Sequence, residues 1–184
     1  MLQVFKHYIN TIDKINDFIG KIAGWLATLM VLIICFDVSA KFIASKLDLS
    51  YSNTAIYELQ WHLFAFVFLL GTAYTLRHDR HVRVDLFYSK FSDKTKAWVN
   101  ILGVVFFLMP FCIIVMKTSL LYVKNSYLMM EKSPDPGGLP YRFILKGTII
   151  FAFGLLSLQG LAMLLRSVVV LLNKEDELTP ASRV

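Results

Sequence analysis

The chain has 184 residues, of which 57% are hydrophobic and 17% charged, and its mean hydropathy is +0.59; a soluble domain carries about 25% charged residues. With 15 Phe and 3 Trp, this composition argues against an ordinary water-soluble enzyme and for lipid as the main solvent. The net charge of +6 sits beside long apolar runs, so it reads as a topology signal rather than as a nucleic-acid surface.

Four stretches, 22–36, 59–76, 97–116 and 147–165, contain no Asp, Glu, Lys or Arg. At about 1.5 Å per residue, about 20 helical residues cross a hydrocarbon core of about 30 Å. The expected fold class is therefore all-α and integral to the membrane. Four transmembrane helices are expected at about 20–43, 56–76, 97–123 and 143–172, which makes 20–172 one four-helix membrane domain. The first 21 residues lack the short apolar core and small-residue cleavage site of a signal peptide, so the first span is expected to be retained.

Basic residues set the orientation. Lys6, Lys14 and Lys21 precede span 1, and Arg77, Arg80, Arg83, Lys90, Lys94 and Lys96 lie between spans 2 and 3. The first loop carries only Lys41 and Lys46. The positive-inside rule places both termini and the second loop in the cytoplasm.

In chain order, Phe5, Tyr8, Ile12, Ile15 and Ile19 recur at helical spacing and predict an amphipathic helix over 1–19, with Lys6, Asp13, Lys14 and Asp17 off its apolar face. It reads either as an interfacial helix among lipid headgroups or as the protruding start of a long first span. In span 1, Gly20, Gly24 and Thr28 put small residues on one face, and Trp25 suits a membrane interface. Asp37 and Lys41 stand in the favourable i, i+4 order near the outer end, as a contact to a partner helix or as a local ion pair.

Span 2 opens with Glu58, Gln60, Trp61 and His62, a polar turn expected to face protein in part. Glu58 also suits the positive end of the helix dipole, and an ion-ligand role is the third reading. The mixed charges of 77–85 are either partly paired or a solvated basic loop. Val84, Phe87 and Phe91 predict a short interfacial helix in the second loop. Ser92 is the expected N-cap of span 3, with Asp93 in its first turn, and Pro110 is expected to kink that span midway. The outer loop 133–142, rich in Pro and Gly, is expected to form a fixed turn. Residues 173–184 form a polar tail. Cys35 and Cys112 lie within apolar runs and read as small core residues rather than a disulfide. Of the four His, only His62 lies in a span, which disfavours paired haem ligation, and no phosphate loop, CxxC or HExxH motif occurs. Neither a cofactor nor an enzymatic role is expected.

One segment resembles a known family. Glu58-Leu59, Trp61, the run Phe68-Leu69-Leu70-Gly71-Thr72-Ala73, and His81-Val82-Arg83-Val84-Asp85 are similar to the small permease subunit (DctQ type) of tripartite ATP-independent periplasmic (TRAP) transporters. Lys41-Phe42 stands where members commonly show Arg-Tyr; Lys keeps the charge but not a bidentate contact. The resemblance covers about residues 20–170. It implies a bacterial inner-membrane protein that packs on the scaffold of a large permease subunit (DctM type). That partner takes up an organic acid with sodium, delivered by a periplasmic binding protein (DctP type). The outer loop looks like that of systems for monocarboxylates, 2-oxo acids or aromatic acids. The expected contacts to the large subunit are Asp37, Lys41, Glu58, Trp61, Gly71, Arg83 and Asp85. The rival expectations are an independent oligomeric transporter and an anchor or assembly factor of another membrane complex.

Overall fold

A computed structural model of the chain describes residues 2–78 and 91–172. The expected interfacial helix 84–91, Arg83, Asp85 and the tail fall wholly or mainly outside these residues. The described part is helical: α1 (Leu2–Lys46), α2 (Thr54–Arg77), α3 (Asp93–Leu128) and α4 (Arg142–Leu171). All four are long and apolar enough to cross a membrane. Asn53 caps α2 by accepting from the Ile56 N–H at 3.2 Å, and Ser92 caps α3 by accepting from the Thr95 N–H at 3.3 Å, so the expected Ser92 cap is present.

The helices run antiparallel in sequence, which brings the start of α1, the end of α2, the start of α3 and the end of α4 to one end, here the termini end. α4 is the hub. It packs on each of the other three, while α2 also lies along α1. Its apolar stretch is 33% buried, against 11% for α1 and α3. The cause is composition: the buried side of α4 includes Ala152, Gly160, Ala162 and Ser167, small residues that let neighbouring backbones come close without a hydrophobic drive between helices.

No break separates 2–19 from span 1; α1 is continuous over 45 residues, about 68 Å long and longer than a bilayer is thick. Residues 2–19 are the first part of that helix. The inward face is also rotated from the expected one. Ile9, Asn16, Ala23, Asp37 and Ala44 are buried at heptad spacing with Ile12 and Asp13 beside them, whereas Ile15 is 41% exposed. Asp13 belongs to the buried face because partners on α2 and α4 compensate its charge. Ile9 and Ile12 meet Ala162 of α4, flanked by Tyr8 and Leu165.

Just before Pro110, where a kink is expected, α3 carries a π turn, Val104–Leu108, in which the Met109 N–H reaches back to the Val104 carbonyl. The wide turn accommodates a proline that has no N–H and crowds the preceding turn. It also adds one residue to the inward stripe: Ala97 and Val104 are followed by Cys112, Ser119 and Ser126, so the spacing slips from seven to eight and back. Without that extra residue the two halves of α3 would present different faces to α4.

Where α1 and α2 cross, Gly20 lies under the ring of Tyr74; a Cβ there would stand 2.2 Å from a ring carbon. At Gly24, the next member of the small-residue pattern, an added Cβ would have nothing within 4 Å. Gly20→Ala therefore destabilises the chain by about 1–3 kcal/mol, while Gly24→Ala holds or raises stability through helix propensity. Unfolding temperatures of the two variants in detergent test this; equal shifts would refute the close crossing.

Candidate functional site

The polar side chains of the spans gather in two layers. Along α1, Asp13 and Asp37 stand about 36 Å apart at 1.5 Å per residue, so they bracket a hydrocarbon core of about 30 Å.

At the termini end, Asp13 of α1 is shared. It pairs with Arg166 of α4, lies 3.7 Å from Nε of Arg77 on α2, and accepts from Nε2 of Gln159 at 3.2 Å. Arg77 also donates from Nη1 to the Asp13 carbonyl at 2.5 Å and pairs with Asp17, which lies 3.2 Å from Nε2 of His78. Below them Asn16 donates to Oε1 of Gln159 at 2.6 Å, both side chains being about 1% exposed. An uncompensated charge at this depth is costly, so each cation has acquired an acceptor. Sequence reading missed this layer. Its signals were Gln159, a lone amide in an otherwise apolar run, and the helical spacing of Asp13 and Asn16.

At the opposite end, Glu58 is 2% exposed and its acceptor sites are filled by the outer loop. It accepts from the Ser133 hydroxyl, from the Leu139 N–H at 2.6 Å, and from Nη2 of Arg142 at 3.2 Å. The loop can close this tightly because Gly138 has no side chain: a Cβ there would lie 2.4 Å from Ser133 and 2.9 Å from Oε2 of Glu58. Arg142 also lies over the Trp61 ring, 5.6 Å from its centroid. His62 Nδ1 is 2.7 Å from the Glu58 carbonyl, which only accepts, so Nδ1 carries the hydrogen. Beside this clamp, Asp37 accepts from Lys41 at 2.6 Å and from Gln60 at 3.1 Å. A third pair, Glu131 and Lys146, closes the loop's other edge, with the Lys146 ammonium 3.9 Å from the Tyr122 ring centroid.

The sequence-predicted site residues thus divide. Asp37 and Glu58 are turned inward, with partners inside the chain, and Lys41 follows Asp37. Trp61, 37% exposed, lies on the outer face of α2 with Tyr57, Phe64 and Phe68. Gly71 continues that line, and nothing lies within 4 Å of where its Cβ would be. Arg83 and Asp85 are not among the described residues. Cys35 and Cys112 are both free. Among the described residues, no group of three or more His, Cys, Asp or Glu converges as metal ligands would.

Glu58→Gln leaves buried donors facing an amide and removes the partner of Arg142. We expect a loss of about 3–5 kcal/mol together with faster proteolysis within 132–141, whereas exposed Asp135→Asn shifts stability by less than about 0.5 kcal/mol. Unfolding and limited-digestion measurements read both effects. Glu131 lies outside the spans, and the hydrogen bond from Lys146 holds its carboxyl below the ordinary Glu range. A lowered folded-state value stabilises the fold above the ordinary range of about 4.3, and that contribution is lost as pH falls through the folded value. The unfolding temperature should therefore decline in this acidic window, and Glu131→Gln should flatten the decline; identical pH curves for the two proteins would refute the role.

The DctQ family model, described as Tripartite ATP-independent periplasmic transporters, DctQ component, matches residues 30–170. Comparison with curated proteins and with solved structures gave no match. The matched region contains spans 2 and 3, all but the last residues of span 4, the outer part of span 1 and the whole Glu58 clamp. The chain belongs to the DctQ family, the small membrane subunit of TRAP transporters.

Proposed function

We propose that this subunit packs on the scaffold of a large permease subunit and holds it in the inner membrane, so that the partner's mobile part works against a fixed wall. The large subunit carries the substrate and sodium sites and takes up an organic acid delivered by a periplasmic binding protein. Both termini and the basic second loop face the cytoplasm, and the Pro-Gly loop faces the periplasm.

The observation that carries this reading is the internal pairing of the buried carboxylates. The buried carboxylates Asp13, Asp37 and Glu58 all have cationic partners within the chain, at the ends of the spans. They build a rigid body rather than a path for cargo. Rigidity is what a static scaffold needs, because a wall that yields cannot oppose a moving neighbour.

The docking face we assign is the outer side of α2 with the end of α1: Lys41, Trp61 and Gly71, with Tyr57, Phe64 and Phe68 between them. Flat aromatics give a large contact area at low entropic cost, and open space at Gly71 lets a partner helix approach closely. Asp37 and Glu58 support this face from behind by fixing Lys41 and, through Arg142, Trp61. The Arg83 and Asp85 segment is assigned to the same contact.

Co-expression with the large permease subunit tests the proposal. The wild-type chain should co-purify with it. Gly71→Phe, at a position where an added Cβ has nothing within 4 Å, should reduce recovery at least tenfold, whereas Phe107→Ala on the outer side of α3 should leave it unchanged. Failure of the wild-type pair to co-purify, or solute transport by this chain alone in proteoliposomes, would overturn the helper role. Equal recovery of the two variants would overturn the assigned face.

A further inference from the structure

At the termini end, α2, α3 and α4 line an open pocket of about 370 Å³, within the range of about 300–1,000 Å³ typical of small-ligand sites. Among the described residues its lining includes three cations from three helices, Arg77, Lys96 and Arg166, and one acid, Asp93. The Asp93 side chain is 84% exposed and sits at the rim, 3.8 Å from Lys96. Gln159, almost wholly buried, and Met163 line the deeper part on α4.

The acids that balance the two arginines do not line the pocket. Asp13 and Asp17 stand on α1, on the far side of the guanidiniums. An anion that has passed Asp93 at the rim therefore meets the cations first and Asp13 and Asp17 only behind them. The arginines are also not exhausted. Each guanidinium has five N–H donors; Arg77 directs Nε and Nη1 to Asp13 and Asp17, and Arg166 directs Nη2 to Asp13. The remaining donors belong to groups that line the pocket, and planar guanidiniums match tetrahedral oxyanions well.

Depth selects the ligand class. Along α4, Arg166 lies about 36 Å from Arg142, and along α2, Arg77 lies about 28 Å from Glu58. The pocket is thus at the border of the hydrocarbon core, the level of the phospholipid phosphates. We propose that it binds the phosphate of an anionic phospholipid, with the headgroup between Arg77, Lys96 and Arg166 and the acyl chains leaving toward the apolar surface. The site does not depend on the large subunit and is separate from the α2 face assigned to it.

Native mass spectrometry of the purified full chain, titrated with phosphatidylglycerol or phosphatidylcholine, tests this. Phosphatidylglycerol should be retained at least tenfold more strongly. Lys96→Gln, which leaves the Asp13 network intact, should weaken its binding about fivefold, the worth of one surface cation toward anionic lipid. Met163→Trp, which fills the pocket without changing a charge, should weaken it at least as much, so misfolding of one variant, seen as a lost unfolding transition, leaves the other as the test. Lys132→Gln at the opposite end should have no effect. Equal retention of the two lipids would overturn the proposal, as would equal losses from Lys96→Gln and Lys132→Gln. Displacement of phosphatidylglycerol by inorganic phosphate at equal concentration would assign the pocket to a free anion instead.

Discussion

Asp13 is one carboxylate held by guanidiniums from two other helices, and the arrangement of α1, α2 and α4 depends on it. Removing a charge from water costs several kcal/mol even after relaxation, and the cost is recovered only where the geometry is good. A slip of α1 by one turn, about 5.4 Å, would separate Asp13 from Arg77 and Arg166 and, at the other end, Asp37 from Gln60. Apolar side chains in lipid give no comparable penalty for a slip, because the hydrocarbon outside is as apolar as the interface. The charges therefore define the register that the greasy surfaces leave open, as a polar residue at a seam position does in a coiled coil.

Glu58 does the corresponding work for the outer loop. Three donors from 133–142 converge on it, so the turn closes over the end of α2 instead of moving as a solvated connector. Gly138 makes the approach possible and Arg142 links the clamp to Trp61. Between these layers the contacts are small residues and shape: the Gly20 and Tyr74 crossing, the inward stripe of α3 restored by its π turn, and the Ala and Gly positions of α4. A subunit built in this way is stiff at both membrane borders and apolar in the middle, which suits a scaffold. The same design leaves an exposed aromatic face on α2, the proposed docking face, and a cation-lined pocket at the termini end, the proposed lipid site.

Much of this was legible before any coordinates. Four uncharged runs require four spans, because no other structure satisfies the backbone in hydrocarbon for so long a stretch. The Ser92 cap, the Asp37 and Lys41 pairing and the fixed Pro-Gly turn follow from local chemistry within a few residues. The family was readable because its motif lies in one continuous segment, from Glu58 to Asp85. The inward face of 1–19 was not readable: Ile15 and Ile9 are equally apolar, and only the presence of Arg166, more than 150 positions away, makes the side bearing Asp13 the buried one.

The sequence by itself determined the membrane class, the number of spans, the depth at which charged groups must stop and the family, since each depends on local composition or on a contiguous motif. Tertiary structure alone decided which polar residues meet. It turned Asp13, Asn16 and Gln159 into one network, aimed Glu58 at the outer loop and gathered Arg77, Lys96 and Arg166 around one pocket. The physical reason is that hydrocarbon forbids an unpartnered charge without naming its partner, and the choice is made by which helices lie side by side.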